Sequence, residues 1–307
     1  MITPAMQCGP VQRGPGQRGP RQRGWAARVA LCGALMAAAA ALLPAPVQAA
    51  SQASVATQWV SLHGARVRLV AGPAAGDAKA YLAGVEVELA EGWKTYWRMP
   101  GDAGVPPMFD WAKSINTAAI TVLYPAPMRL QEPAAQTVGY KSSVMFPVEV
   151  KPLDPARPVV LDLQMDLGIC RDICIPGEVQ LSLTIPPSGL AGASPVKAWR
   201  ERVPRPQALR GAGDPELKSV TATLDGPAPR LLVEVAFPGG AKDADVFIEA
   251  PDGLYVPMTK RLPDGPGGVA RFEADLSRVD AHDLKGKQLI LTLVGDGGAA
   301  TEATWQL

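Results

Sequence analysis

Leu161-Asp-Leu-Gln-Met-Asp-Leu-Gly-Ile-Cys170 alternates apolar and polar residues, and after Arg171-Asp172-Ile173 and Cys174 the alternation resumes at Val179, Leu181, Leu183 and Ile185. Leu161, Leu163, Met165, Leu167 and Ile169 fall on one side, and Asp162, Gln164, Asp166 and Gly168 on the other. A period of two with one polar face describes a strand of an antiparallel sheet packed on one side. The two runs read as a hairpin whose three-residue connection lies between two cysteines. By parity Cys170 continues the even, polar set, so it points away from the core, toward solvent or a covering loop. Attack on a disulfide needs access to the sulfur, and a hairpin tip outside the core gives it.

A bridge between Cys170 and Cys174 closes a ring of about 5 residues, which in the chain-entropy picture stabilises a fold by only roughly 2 kcal/mol. So small a ring constrains the S–S torsion, and strain makes a bridge easier to reduce. The pair is a poor staple and a plausible redox switch. Arg171 between the thiols favours a thiolate and Asp172 opposes it. Two other readings stay open on these residues alone: a structural hairpin clasp, and a zinc site. Zinc usually takes four Cys or His ligands, and His63 and His282 are far away in sequence.

The remaining cysteines, Cys8 and Cys32, lie in an N-terminal stretch with Arg13, Arg18, Arg21, Arg23 and Arg28 and no acid, followed by an apolar run from Val29 to Leu43 and Val47-Gln48-Ala49. That is the order of a secretory signal peptide, with cleavage expected after Ala49. Removing 49 of the 307 residues takes five arginines with it, so a net charge of +1 becomes about −4. No Lys/Arg stripe survives to suggest a nucleic-acid partner. No later run reaches the roughly 20 apolar residues of a membrane span, so none is expected in the mature chain. An exported chain with one closely spaced cysteine pair lacks the makings of a disulfide framework and points to a dedicated dithiol.

The same alternation recurs at Ala65–Val70, Tyr81–Ala90 and Val144–Val150 before the hairpin. After it come Val220–Leu224, Leu231–Phe237, Val246–Ala250, Val269–Leu276, Leu289–Val294 and Ala303–Leu307. Asp252-Gly253 and Asp264-Gly265 supply turns. The fold class is therefore all-β, with two immunoglobulin-like antiparallel β-sandwich domains in tandem. The expected division is a signal peptide over 1–49, a redox sandwich over 50–187, a linker over 188–214 and a second sandwich over 215–307. Within the linker, Ser194-Pro195 followed by Val196–Val203 reads as one short helix, capped by Ser194.

Two stretches fit no alternation. Trp93, Tyr96 and Trp97 precede a Pro/Gly-rich loop and read either as a core-edge cluster or as an aromatic wall beside the dithiol. Tyr124–Ser143, with Pro125, Pro127, Pro133, Gly139 and Tyr140, reads as a long loop of the kind that covers a site.

Gly92-Trp-Lys-Thr-Tyr-Trp-x-x-Pro-Gly-Asp-x-Gly-x-Pro106, Tyr124-Pro-x-Pro127, Gly139-Tyr140 and Cys170-Arg-Asp-Ile-Cys-Ile-Pro-Gly-Glu178 together resemble the N-terminal periplasmic domain of the DsbD family of thiol:disulfide interchange proteins, nearest the branch of the suppressor-of-copper-sensitivity B proteins. The resemblance runs from about Val55 to Pro187. It implies an immunoglobulin-like domain with protein-disulfide reductase activity. Its redox pair, here Cys170 and Cys174, takes electrons from a membrane-embedded donor and passes them to a periplasmic thioredoxin-like protein. No cofactor is needed, because the cysteines are the redox group. The resemblance also implies a cap over the pair, matched at Gln136–Tyr140, which puts Val138 and Tyr140, with Trp93, Tyr96, Trp97 and Asp172, among supporting residues. The best-known members have more residues between their cysteines than Arg171-Asp172-Ile173. This chain reaches Leu307 without a membrane domain or a C-terminal thioredoxin domain, so the donor is expected to be a separate membrane protein. A reading of another class makes the two thiols soft ligands of a periplasmic copper-binding protein. The spread of Met99, Met108, Met128, Met145 and Met165 offers that reading no Met-x-x-Met cluster.

Overall fold

The structure is a computed structural model, described over residues 55–75, 80–131, 135–189 and 194–307. The expected signal peptide, with Cys8 and Cys32, lies outside the described residues.

The first eleven strands are β1 (Val60–Leu62), β2 (Ala65–Ala75), β3 (Ala80–Leu89), β4 (Lys94–Gly101), β5 (Met108–Asp110), β6 (Thr117–Val122), β7 (Met128–Gln131), β8 (Gln136–Lys141), β9 (Ser143–Pro152), β10 (Val159–Cys170) and β11 (Cys174–Ile185). They form two antiparallel sheets, in the orders β1-β2-β3-β9-β6 and β11-β10-β4-β8-β7, with β5 also pairing β10. The odd-numbered residues of β10 behave as the alternation requires. Leu161, Leu163, Met165, Leu167 and Ile169 are buried in one core with Val67, Leu69, Val85 and Phe146 of the facing sheet. Burying side chains of this size contributes about 1.5–3 kcal/mol each, and fixes the register of the strand that carries Cys170.

Ser194 caps a short helix, α1 (Pro195–Arg200), its hydroxyl accepting from the Val196 N–H at 3.3 Å. The helix ends three residues earlier than the sequence suggests. Val196 packs with Val70, Leu82 and Met145 on the outer face of the first sheet.

The remaining strands are β12 (Arg205–Pro206), β13 (Glu216–Thr223), β14 (Arg230–Ala236), β15 (Asp245–Glu249), β16 (Lys260–Leu262), β17 (Ala270–Asp275), β18 (Gln288–Val294) and β19 (Ala300–Gln306). Two four-stranded sheets, β12-β19-β18-β15 and β13-β14-β17-β16, bury a second core that includes Val233, Phe272, Val246 and Leu291. The molecule is all-β, built from immunoglobulin-like sandwiches. Apart from the parallel β12–β19 contact, the sheet pairings are antiparallel.

The two sandwiches touch through β4. Trp97, fully buried, packs on Phe247 of β15 with ring centroids 5.8 Å apart. Arg98 pairs with Glu249 at 2.7 Å and also with Glu302. Burial alone would loosen the proton of Arg98, but the hydrogen bond and charge of Glu249, joined by Glu302, outweigh it and hold the guanidinium above its usual range. A second tether joins Arg129 of β7 to Asp245 at 2.6 Å.

Both stretches without alternation contain strands. The aromatic run is β4, and Tyr124–Ser143 holds the β7–β8 pair rather than one long loop. β4 and β8 have no solvated face to betray them: β4 has Tyr96 buried on one side and Trp97 on the other, and β8 is buried from Thr137 to Tyr140.

Candidate functional site

Cys170 and Cys174 are the last pair of the β10–β11 ladder and are joined by a disulfide, with Cα atoms 4.1 Å apart. The hairpin connection is Arg171-Asp172-Ile173, closed by a bond from the Arg171 N–H to the Ile173 carbonyl at 3.2 Å. The two sulfurs have unequal surroundings. Cys170 is 3 % exposed, whereas Cys174 is exposed next to Ile173, itself 70 % exposed.

Parity sends Cys170 to the outer face, and the structure adds that this face is covered at its end. Residues 101–107, the end of β4 and its connection to β5, lie against this face beside Cys170. Gly168 lies two residues before Cys170 on the same face, and a Cβ there would come within 2.8 Å of the Val105 side chain. Glycine at 168 is what lets the segment lie so close. Gly104, at φ +135°, lies against Tyr96, where a Cβ would meet the ring at 2.6 Å. The Tyr96 ring is thus held near both Gly104 and Gly168, and its hydroxyl reaches Cys174 Sγ at 3.2 Å. Lys94 pairs with Cys170 across the ladder, and the Thr95 hydroxyl donates to the Gly168 carbonyl at 2.9 Å, tying β4 to β10 beside the thiols.

The charges flanking the dithiol face each other. Arg171 Nε bonds Asp172 Oδ2 at 3.0 Å, with both side chains largely in solvent, so the pair contributes little to stability and its fields oppose at the sulfurs. The Arg171 guanidinium also lies 5.3 Å from the Trp93 ring, which packs edge-on against His63.

The residues named from sequence therefore separate. Tyr96 touches the dithiol, and Trp93 and Asp172 flank it through Arg171. Trp97 lies between the sandwiches. Val138 and Tyr140 sit in the core on β8, whose Gly139 pairs with Tyr96 of β4. Tyr140 packs against Phe146 at 5.6 Å and donates to the Pro125 carbonyl at 2.9 Å. Burial pushes its hydroxyl well above the usual tyrosine range. Sequence reasoning missed Val105 and the part played by Gly168. A glycine inside a strand pattern two residues from a cysteine was the available signal, since it marks close approach of another segment.

Residues 66–186 match the family model for the N-terminal domain of the thiol:disulfide interchange protein DsbD, with the dithiol near the C-terminal end of the match. Among solved structures, the chain is similar to the crystal structure of the N-terminal periplasmic domain of ScsB from Proteus mirabilis, with a TM-score of 0.64 and 22 % identity over 82 % of this chain and 98 % of that one. At that identity the likeness is one of fold, and it extends across both sandwiches. No curated protein sequence matches the chain.

Proposed function

We propose that the chain is a periplasmic thiol–disulfide interchange protein that relays electrons through Cys170 and Cys174. The observation that carries the reading is the asymmetry of the pair: Cys174 is exposed at a hairpin tip and Cys170 is buried. A donor thiolate attacks Cys174 Sγ, the S–S bond breaks, and Cys170 leaves as a thiolate that takes up a proton. The donor's second thiolate then displaces Cys174. The donor is left as a disulfide, and this chain holds the two electrons as a dithiol. Forwarding reverses the roles, with the Cys174 thiolate attacking an acceptor's disulfide and Cys170 resolving the mixed disulfide. Tyr96 offers a hydroxyl donor to the Cys174 anion, a charge-assisted bond. The DsbD-type domain supports a membrane-embedded donor and a thioredoxin-like acceptor. Export, loss of residues 1–49 and the division into a redox sandwich over 50–187, a linker over 188–214 and a second sandwich over 215–307 belong to the same proposal.

The test is capture in cells. An acceptor reduced to one active-site cysteine is expected to be trapped as a mixed disulfide with Cys174. Absence of the adduct in a strain that holds both proteins, or its persistence in Cys174→Ser, would overturn the relay.

A further inference from the structure

The segment that lies against Gly168, two residues before the buried Cys170, is held at its base by Asp102. The Asp102 N–H donates to the Gln136 carbonyl at 2.9 Å, and its Oδ2 accepts from the Gln136 N–H at 3.0 Å. Its other carboxylate oxygen, Oδ1, accepts from the Tyr255 hydroxyl, which belongs to the second sandwich. Tyr255 stands on the connection between β15 and β16 and is 45 % exposed, so its packing contributes little to either core. Partial burial and then the Asp102 carboxylate raise its hydroxyl above the usual range, so it remains a donor at neutral pH. Arg98 and Arg129 fasten the second sandwich to β4 and β7. Tyr255 reaches past them to the cover itself.

We propose that Tyr255 is a positioning residue that latches the 101–107 segment over Cys170 through Asp102, so that a contact made by the second sandwich sets access to the buried sulfur. This gives the second sandwich a part in the exchange. It rests on the reading of the pair as an exchanging dithiol only for its purpose, since the latch can be measured without any partner protein. With the latch closed, Cys174 is the sulfur open to attack. With it open, Val105 lifts from Gly168 and both sulfurs are reachable.

The experiment uses the full-length protein, reduced with dithiothreitol. The reagent supplies two electrons and two protons and becomes its cyclic disulfide. The thiols are then alkylated with iodoacetamide, each thiolate displacing iodide, and the two cysteines are followed separately by peptide mass. Tyr255→Phe removes the hydroxyl and keeps the ring. It is expected to raise the alkylation rate of Cys170 about fivefold, the effect of losing one partly exposed hydrogen bond, and to leave Cys174 unchanged. Lys287→Ala breaks the exposed Lys287–Asp252 pair at the start of the same connection and serves as the control, expected to change neither rate. Equal Cys170 rates in Tyr255→Phe and the parent would overturn the latch, as would a parallel rise at both cysteines. Failure to trap a relay partner would leave this result standing, so the two ideas fail separately.

Discussion

The Tyr96 hydroxyl lies 3.2 Å from Cys174 Sγ, while Trp97, the next residue, is buried against Phe247 of the second sandwich. One short stretch of β4 therefore serves the dithiol with one side chain and the interface with its neighbour. A hydroxyl at this distance stabilises the anion that forms on Cys174 when the bridge opens. Tyr96→Phe is expected to slow reduction by dithiothreitol at neutral pH about fivefold, with the disulfide still forming in the resting protein. Stopped-flow reduction measures this, and an unchanged rate would remove Tyr96 from the mechanism.

The unequal exposure of the sulfurs predicts unequal single-cysteine variants. Cys170→Ser leaves the exposed thiol and is expected to react with an aromatic disulfide reagent at least about tenfold faster than Cys174→Ser, because exchange rates follow access to the sulfur. Both variants should fold, since the small ring contributes only about 2 kcal/mol. Equal rates would contradict the cover.

Much of this was legible in the chain. β10 and β11 each bury one face, so their alternation fixed the hairpin, its register and the outward parity of Cys170. Ser194-Pro195 marked the start of α1 through ordinary cap chemistry. What was hidden depends on segments distant in sequence. At Gly168 the outer face of β10 meets Val105 and Tyr96, and parity carries no information about such a return of the chain. β4 shows no alternation because Tyr96 is buried on one side, against Gly104 and Gly168, and Trp97 on the other, against Phe247. β8 carries buried residues from Thr137 to Tyr140, which erases its period and left Tyr124–Ser143 reading as one long loop.

The interface between the sandwiches is a packed contact as well as a set of ion pairs. Phe247→Ala removes the ring against Trp97 and is expected to lower stability by about 3 kcal/mol, as large-to-small changes at buried aromatic sites do. Urea denaturation followed by tryptophan fluorescence measures it. A loss below about 1 kcal/mol would mean that the contact collapses to fill the gap.

Alkaline pH provides a further check. Burial raises the Tyr140 hydroxyl well above the ordinary tyrosine value of about 10. Above that pH the unfolded chain has released the proton while the native chain keeps it, so the unfolded state binds fewer protons and stability falls as pH rises. The stability is fully present below about pH 10 and is lost progressively above it. Tyr140→Phe is expected to start somewhat less stable at neutral pH, having lost the bond to Pro125, and to decline less steeply between pH 9 and 11. Parallel declines would contradict the assignment.

The central claim is that Cys170 and Cys174 exchange electrons and do not merely clasp a hairpin. The reduction potential of the pair, measured by equilibrating the full-length protein in dithiothreitol or glutathione buffers and counting free thiols, tests it most directly. A working exchanger is expected between about −180 and −270 mV, among the known thiol–disulfide carriers. A value below about −300 mV, where structural disulfides lie, would contradict the relay and make the bridge a clasp.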